Sequence, residues 1–168
     1  MISVFPAKRL FLLPLILAGI ILGAMSVARA ADHATILMYH RFGEDRYPST
    51  NVRIEQFEEH LEILASGPYN VWPLEQIVDH LLTGKPLPDR TVAITIDDAY
   101  LSVFEEAFPR LRDRGFHATL FVATWPVDRN LGGYMSWKQL REWQAAGFGI
   151  GSQTQTQRDS TQTHDAVS

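Results

Sequence analysis

Residues 91–96, Thr-Val-Ala-Ile-Thr-Ile, form an uninterrupted strand pattern that runs directly into two adjacent carboxylates, Asp97 and Asp98. A helical stretch follows, with Phe104, Ala107, Phe108 and Leu111 as its buried stripe and Arg112, Arg114 and Gly115 as a basic last turn and a stop. Residues 118–123 (Ala-Thr-Leu-Phe-Val-Ala) give another strand pattern, and Ser136 with Trp137, Leu140 and Trp143 reads as a capped helix ending at Gly147. Phe148 to Ser152 supplies the next strand end. Strand, helix, strand, helix, strand at this spacing requires right-handed crossovers between parallel strands. The expected architecture is therefore α/β, with a sheet or barrel core.

The part before residue 91 fits the same plan. Residues 34–39 (Ala-Thr-Ile-Leu-Met-Tyr) read as a buried strand followed by His40, Arg41 and a turn at Gly43. Ile54, Phe57, Leu61, Ile63 and Leu64 recur at helical spacing among glutamates, so a helix is expected over residues 54–65, ended near Gly67-Pro68. Val71-Trp72 is a brief extended piece, and residues 74–82 repeat the helical pattern until Gly84-Lys85-Pro86 breaks it.

The two ends have a different character. Lys8 and Arg9 precede an apolar run over residues 10–27 that closes on Ala28-Arg29-Ala30, the pattern of a cleavable export signal over residues 1–30. The chain is therefore expected to be exported, periplasmic or extracellular, and to meet a membrane only through this segment if it stays uncleaved. Residues 153–168 are rich in Gln and Thr, with Ala166 and Val167 as their only apolar members, and read as a polar, disordered tail that builds no core. The formal charge is −4, and it becomes more negative when Lys8, Arg9 and Arg29 leave with the signal. An acidic balance argues against nucleic acid or anionic lipid as the main partner. Cysteine is absent, which excludes disulfides, thiol nucleophiles and thiolate metal sites.

In parallel α/β folds the chemistry sits at the carboxyl ends of strands. Three such ends carry polar groups here: Tyr39-His40, Asp97-Asp98 and Ser152-Gln153. Two readings of the carboxylate pair are open. One side chain can hold a divalent metal while the other takes a proton from water, or both can simply cap the following helix. Tyr100 and Trp125, just after strand ends, offer flat faces for sugar rings, whereas Trp137 and Trp143 are expected in the core of their helix.

Thr95-Ile96-Asp97-Asp98-Ala99-Tyr100 closely resembles the Thr-Phe-Asp-Asp-Gly-Tyr motif of the polysaccharide deacetylases, the NodB-homology group or carbohydrate esterase family four. Leu37-Met38-Tyr39-His40 resembles the opening strand of many members, Ala118-Thr119-Leu120-Phe121-Val122 their Ala-Thr-Phe-Phe-Val strand, and Ile150-Gly151-Ser152 the lead-in to their histidine motif. The resemblance implies an incomplete, distorted (β/α) barrel of the NodB-homology type over residues 31–152. It implies metal-dependent hydrolysis of acetamide C–N bonds in a β-linked N-acetylated polysaccharide or oligosaccharide of the chito-oligosaccharide or poly-N-acetylglucosamine type. Carried over residue by residue, Asp97 is the general base and Asp98 a ligand of zinc or a similar divalent metal. Tyr39, His40, Tyr100 and Trp125 are the candidate substrate contacts.

The chain departs from that pattern where the family's two metal-binding histidines belong, since Gln153 and Gln157 stand there. A neutral amide oxygen is a weaker ligand than imidazole. The family's Arg-x-Pro and Leu-x-x-His motifs do not follow either, and His164 in the polar tail is read as solvated. Two expectations result: a secreted deacetylase, or a truncated, degenerate and catalytically inactive member that at most binds sugar.

Overall fold

The computed structural model describes residues 31–153, so the signal-like segment, Gln157 and His164 lie outside the described residues. The elements in chain order are β1 (Thr35–Tyr39), β2 (Arg41–Phe42), β3 (Asn51–Val52), α1 (Ile54–Ser66), β4 (Asn70–Val71), α2 (Leu74–Thr83) and β5 (Thr91–Asp97). A π-helical turn (Val103–Ala107) then leads into α3 (Phe108–Asp113), followed by β6 (Thr119–Val122), α4 (Thr124–Asp128), α5 (Trp137–Ala145) and β7 (Gly149–Ser152). Strands β1, β5, β6 and β7 lie side by side in that order and all in parallel, with β4 paired to the start of β5. The sheet is open among the described residues, so the expected parallel α/β barrel is present as an unclosed arc. A two-stranded parallel ribbon, β2 with β3, sits apart from it.

β5 is the central strand because its residues suit burial on both faces, and its six residues Thr91 to Ile96 are all buried. Side chains alternate along a strand. Val92, Ile94 and Ile96 therefore face one side and join the main core with Phe57 and Leu61 of α1, Leu111 of α3 and Trp143 of α5. Ala93 faces the other side and packs with Ile77 and Leu87. Thr95 and Asp97 follow Ala93 on this inner face, where Thr119 and Phe121 of β6 lie close against the paired glycines of β7. A Cβ at Gly149 would meet Thr119 Oγ1 at 2.8 Å, and one at Gly151 would meet the Phe121 ring at 2.7 Å.

β1 corrects the expectation of a fully buried strand. It is an edge strand, paired only with β5 among the described residues, and its Ile36 and Met38 side chains stand exposed on the inner face. Trp137 corrects another. It is exposed and donates from Nε1 to Asp128 Oδ1 at 3.0 Å, while Trp143 is fully buried and donates to the Gly149 carbonyl at 2.9 Å. Ser136 precedes this helix as expected and forms a reciprocal capping box with Gln139.

The helix expected after Asp97-Asp98 starts as a π-turn. The Phe108 amide reaches back to the Val103 carbonyl, and Pro109 has no N–H with which to continue the ordinary ladder. The apolar stripe survives the change of pitch, with Val103, Ala107, Phe108 and Leu111 buried and Phe104 partly so.

Candidate active site

Parallel pairing carries Asp97 to the carboxyl edge of the sheet. β1 and β5 are in register as far as Tyr39 opposite Ile96, so the next residues, His40 and Asp97, emerge on the same face at the same height. His40 Nε2 lies 3.7 Å from Asp97 Oδ2, beyond hydrogen-bond distance but close enough for a protonated imidazole to act on the carboxylate, with both side chains largely shielded. Burial pushes the Asp97 carboxyl above its ordinary range; His40 opposes that rise and the neighbouring Asp98 adds to it. A carboxylate with a raised affinity for protons is better suited to take one from water near neutral pH.

Asp98 turns away from Asp97 because the backbone changes hand. Asp98 and Ala99 both have positive φ, 74° and 54°, in a region that side-chain-bearing residues rarely enter. The turn is held from outside: the Asp98 amide donates to the Phe121 carbonyl at 2.9 Å, and the Met135 amide donates to the Ala99 carbonyl at 2.9 Å. A third bond, from the Leu101 amide to the Gly133 carbonyl at 2.8 Å, fixes the far side. Asp98 is only 5% exposed, and its Oδ1 is buried with no hydrogen-bond partner. Neither aspartate caps the following helix, whose preceding residue Ser102 makes no capping bond. The capping alternative is thereby removed.

An unpartnered buried carboxylate oxygen is costly and suits a cation or a bound water. Asp98 Oδ1 is the one atom here that fits a metal. The rest of a donor set is missing among the described residues, where no group of three His, Asp or Glu side chains converges. Gln153 stands exposed just past β7, its amide donating to the Val122 carbonyl at 3.1 Å, and Gln157 lies outside the described residues. The described residues alone therefore do not fit a metal centre, and no chemical step below is routed through one.

Two of the four candidate substrate contacts change role. Tyr39 points to the opposite face from His40, as strand alternation demands. Its hydroxyl is hydrogen-bonded to His60 Nδ1 at 2.9 Å and its ring stands edge-on to Phe57 at 5.3 Å, so it belongs to the α1 side of the sheet. Burial pushes its hydroxyl pKa to about 12. Tyr100 is 7% exposed, with the Arg41 guanidinium carbon 3.4 Å from its ring centroid and the Tyr134 ring 4.9 Å away. No open face is left for a sugar. Its hydroxyl is also raised to about 12, by burial first and then by the charge of Asp98. His40 keeps its place in the cleft, and Trp125, at the start of α4, is 41% exposed with the Arg129 guanidinium 5.5 Å from its ring.

Sequence reasoning missed the group that braces this turn. Arg41 lies over Tyr100 and also over Tyr47, at 3.9 Å from the latter centroid, and its Nη1 donates to Glu44 Oε2 at 2.8 Å. Ser102 Oγ donates to Glu44 Oε1 at 2.6 Å and accepts from the Phe42 amide at 3.3 Å. The Arg41-x-x-Glu44 spacing was the available signal, but outside a helix that spacing carries no geometric meaning.

Comparison with known proteins agrees with this geometry. The family model described as Polysaccharide deacetylase matches residues 84–167, half of the chain. Over 121 residues the chain is 28% identical to a protein of Bacillus subtilis (strain 168) named "Putative polysaccharide deacetylase YxkH"; the match spans 71% of this chain and 41% of that one. Among solved structures, IcaB from Ammonifex degensii superposes with a TM-score of 0.64 at 28% identity, covering 74% of this chain and 53% of that one. A de-N-acetylase from Aggregatibacter actinomycetemcomitans superposes with a TM-score of 0.63 at 22% identity, over 72% and 53%, a likeness of fold. The chain thus spans about half the length of these solved relatives and less of the curated one. Strand order, the Asp97-Asp98 turn and the family match together place the chain in the polysaccharide deacetylase family.

Proposed function

We propose that the chain provides the front half of a hydrolytic centre that removes acetyl groups from an exported, N-acetylated amino-sugar polymer, with Asp97 as the base. The observation that carries this reading is the shielded Asp97 carboxyl at the strand end, raised in proton affinity by burial and contacted by His40. In the proposed step Asp97 takes one proton from a water molecule as its oxygen bonds to the acetyl carbonyl carbon. The C–N bond then breaks, the proton passes from Asp97 to the departing nitrogen to give the free sugar amine, and the acyl group leaves as acetic acid, which ionises to acetate in solution. His40 holds positive charge beside Asp97 when protonated, which keeps the carboxylate available as an acceptor at lower pH.

The name of the Aggregatibacter relative supports N-acetyl rather than O-acetyl chemistry, and the orphaned Asp98 oxygen supports the family's use of a divalent ion. The apolar run before Ala30 supports export. The test is acetate release from an N-acetylglucosamine pentamer, run with a chelator and with added zinc or cobalt. Release that rises with metal supports the full reading. Release unaffected by chelator removes the metal from it, and no release under either condition favours the inactive, sugar-binding alternative that Gln153 suggests.

A further inference from the structure

His40 reaches Asp97 from a place where the chain is weakly held. The ladder between β1 and β5 ends at Tyr39 opposite Ile96, and His40 itself belongs to no strand. β1 is also an edge strand, bonded from one side only among the described residues, and such strand ends open before the rest of a fold does. Among the described residues the His40 ring makes no hydrogen bond that would fix it, only the 3.7 Å approach to Asp97 Oδ2. We infer that the hydrogen-bonded pair Tyr39 and His60, on the opposite face of the sheet, is a positioning device that holds His40 beside Asp97. Its catalytic use rests on the reading of Asp97 as a base.

The anchor is built for rigidity. His60 follows Phe57 by three residues, so both side chains leave α1 on one face. Phe57 and Leu61 are fully buried in the main core, which fixes that face against the sheet. The Tyr39 ring stands edge-on to Phe57 at 5.3 Å and lies 5.7 Å from the Phe42 ring, while its hydroxyl is hydrogen-bonded to His60 Nδ1 at 2.9 Å. The pair borders a cavity of about 420 Å³ whose other walls are mostly apolar, with Leu37, Ile63, Leu64 and Val92 among them, so the hydroxyl has few other partners within reach. Fixing residue 39 fixes the residue after it. Successive side chains of a strand leave on opposite faces, so with Tyr39 pinned to α1 the chain delivers His40 to the inner face, where Asp97 stands. On the other flank the Arg41 amide donates to the Thr50 carbonyl at 3.0 Å. His40 is thus strung between two anchors, one made by a side chain and one by the backbone, and little conformational freedom is left to misplace the imidazole.

The experiment follows His40 by NMR in the unaltered protein, Tyr39→Phe, His60→Leu and His60→Asn. Tyr39→Phe removes the hydroxyl and keeps the ring packing. Asparagine carries its amide on Cγ, as histidine carries Nδ1, and so keeps a polar partner for the phenol. Two quantities are read: exchange of the Arg41 amide with solvent, and the three-bond couplings that report the His40 side-chain rotamer. In Tyr39→Phe and His60→Leu, exchange is expected to quicken on the order of fivefold, as for one lost hydrogen bond, and the His40 couplings to average over several rotamers. Central β5 amides such as that of Ile94 are expected to keep their protection, and His60→Asn to read as the unaltered protein does. Unchanged exchange and a single His40 rotamer in Tyr39→Phe overturn the positioning role. Equal quickening at Arg41 and Ile94 overturns it too, since that marks a general loss of stability, as does failure of Asn to restore what Leu removes. Acetate enters neither reading, so failure of the deacetylase reading shows separately, as absent release.

Discussion

His40 Nε2 and Asp97 Oδ2 are 3.7 Å apart because two parallel strands end at the same height, one residue beyond the pair Tyr39 and Ile96. The contact holds the Asp97 carboxyl down against the upward push of burial. Replacing His40 by Gln removes the positive partner and leaves burial and Asp98 unopposed. The Asp97 titration, followed by carboxyl-carbon NMR, is expected to move to higher pH in His40→Gln. A midpoint that stays put or falls contradicts the coupling.

Asp97 lowers the stability of the fold at neutral pH. Its folded-state affinity for protons exceeds that of the unfolded chain, whose reference is 3.8. As pH rises through the window above 3.8, the unfolded state gives up its proton first, and stability falls. Asp97→Asn removes that loss. Its melting temperature at pH 7 is expected to exceed that of the unaltered protein, and the difference to shrink as pH falls toward 4. A variant less stable at pH 7 is the opposite result.

Ala99 occupies a position suited to glycine. Its φ of 54° costs an L-residue about 1 kcal/mol or more, a cost glycine does not bear. Ala99 is fully buried and the turn is held by the Phe121 and Met135 bonds, so the backbone need not move on substitution. Ala99→Gly is expected to raise stability to denaturant by up to about 1 kcal/mol, less the extra entropy glycine gives the unfolded chain. Destabilisation on that substitution contradicts the strained turn.

The two buried tyrosines predict an alkaline limit. Tyr39 and Tyr100 ionise at about 12 in the folded protein and near 10 when unfolded. Above pH 10 the unfolded chain loses protons that the native state retains, so stability declines between pH 10 and 12. Absorbance of tyrosinate is expected to show a late step near pH 12, one part of it missing in Tyr39→Phe and another in Tyr100→Phe. Loss of the late step in neither variant argues against their burial.

The order of strands and helices, the position of the carboxylates at a strand end and the cap at Ser136 were legible because each depends on local pattern. What was not legible depends on partners distant in sequence. Tyr39 and His40 are neighbours in the chain, yet one meets His60 of α1 and the other Asp97 of β5; the sequence alone does not reveal which face each takes. Tyr100 reads as an open aromatic until Arg41 folds over it, and Trp137 reads as core until Asp128 draws its indole N–H outward. The edge position of β1 follows from sheet order, which no single-strand pattern encodes.

The central claim is that Asp97 is the base of an acetyl hydrolase, and comparison of acetate release by the unaltered protein and Asp97→Asn tests it most directly. Both are incubated with an N-acetylglucosamine pentamer and added zinc or cobalt, after circular dichroism shows the same fold. Release by the unaltered protein is expected to fall by about 10²-fold or more in the variant. Equal, measurable release by both contradicts the assignment.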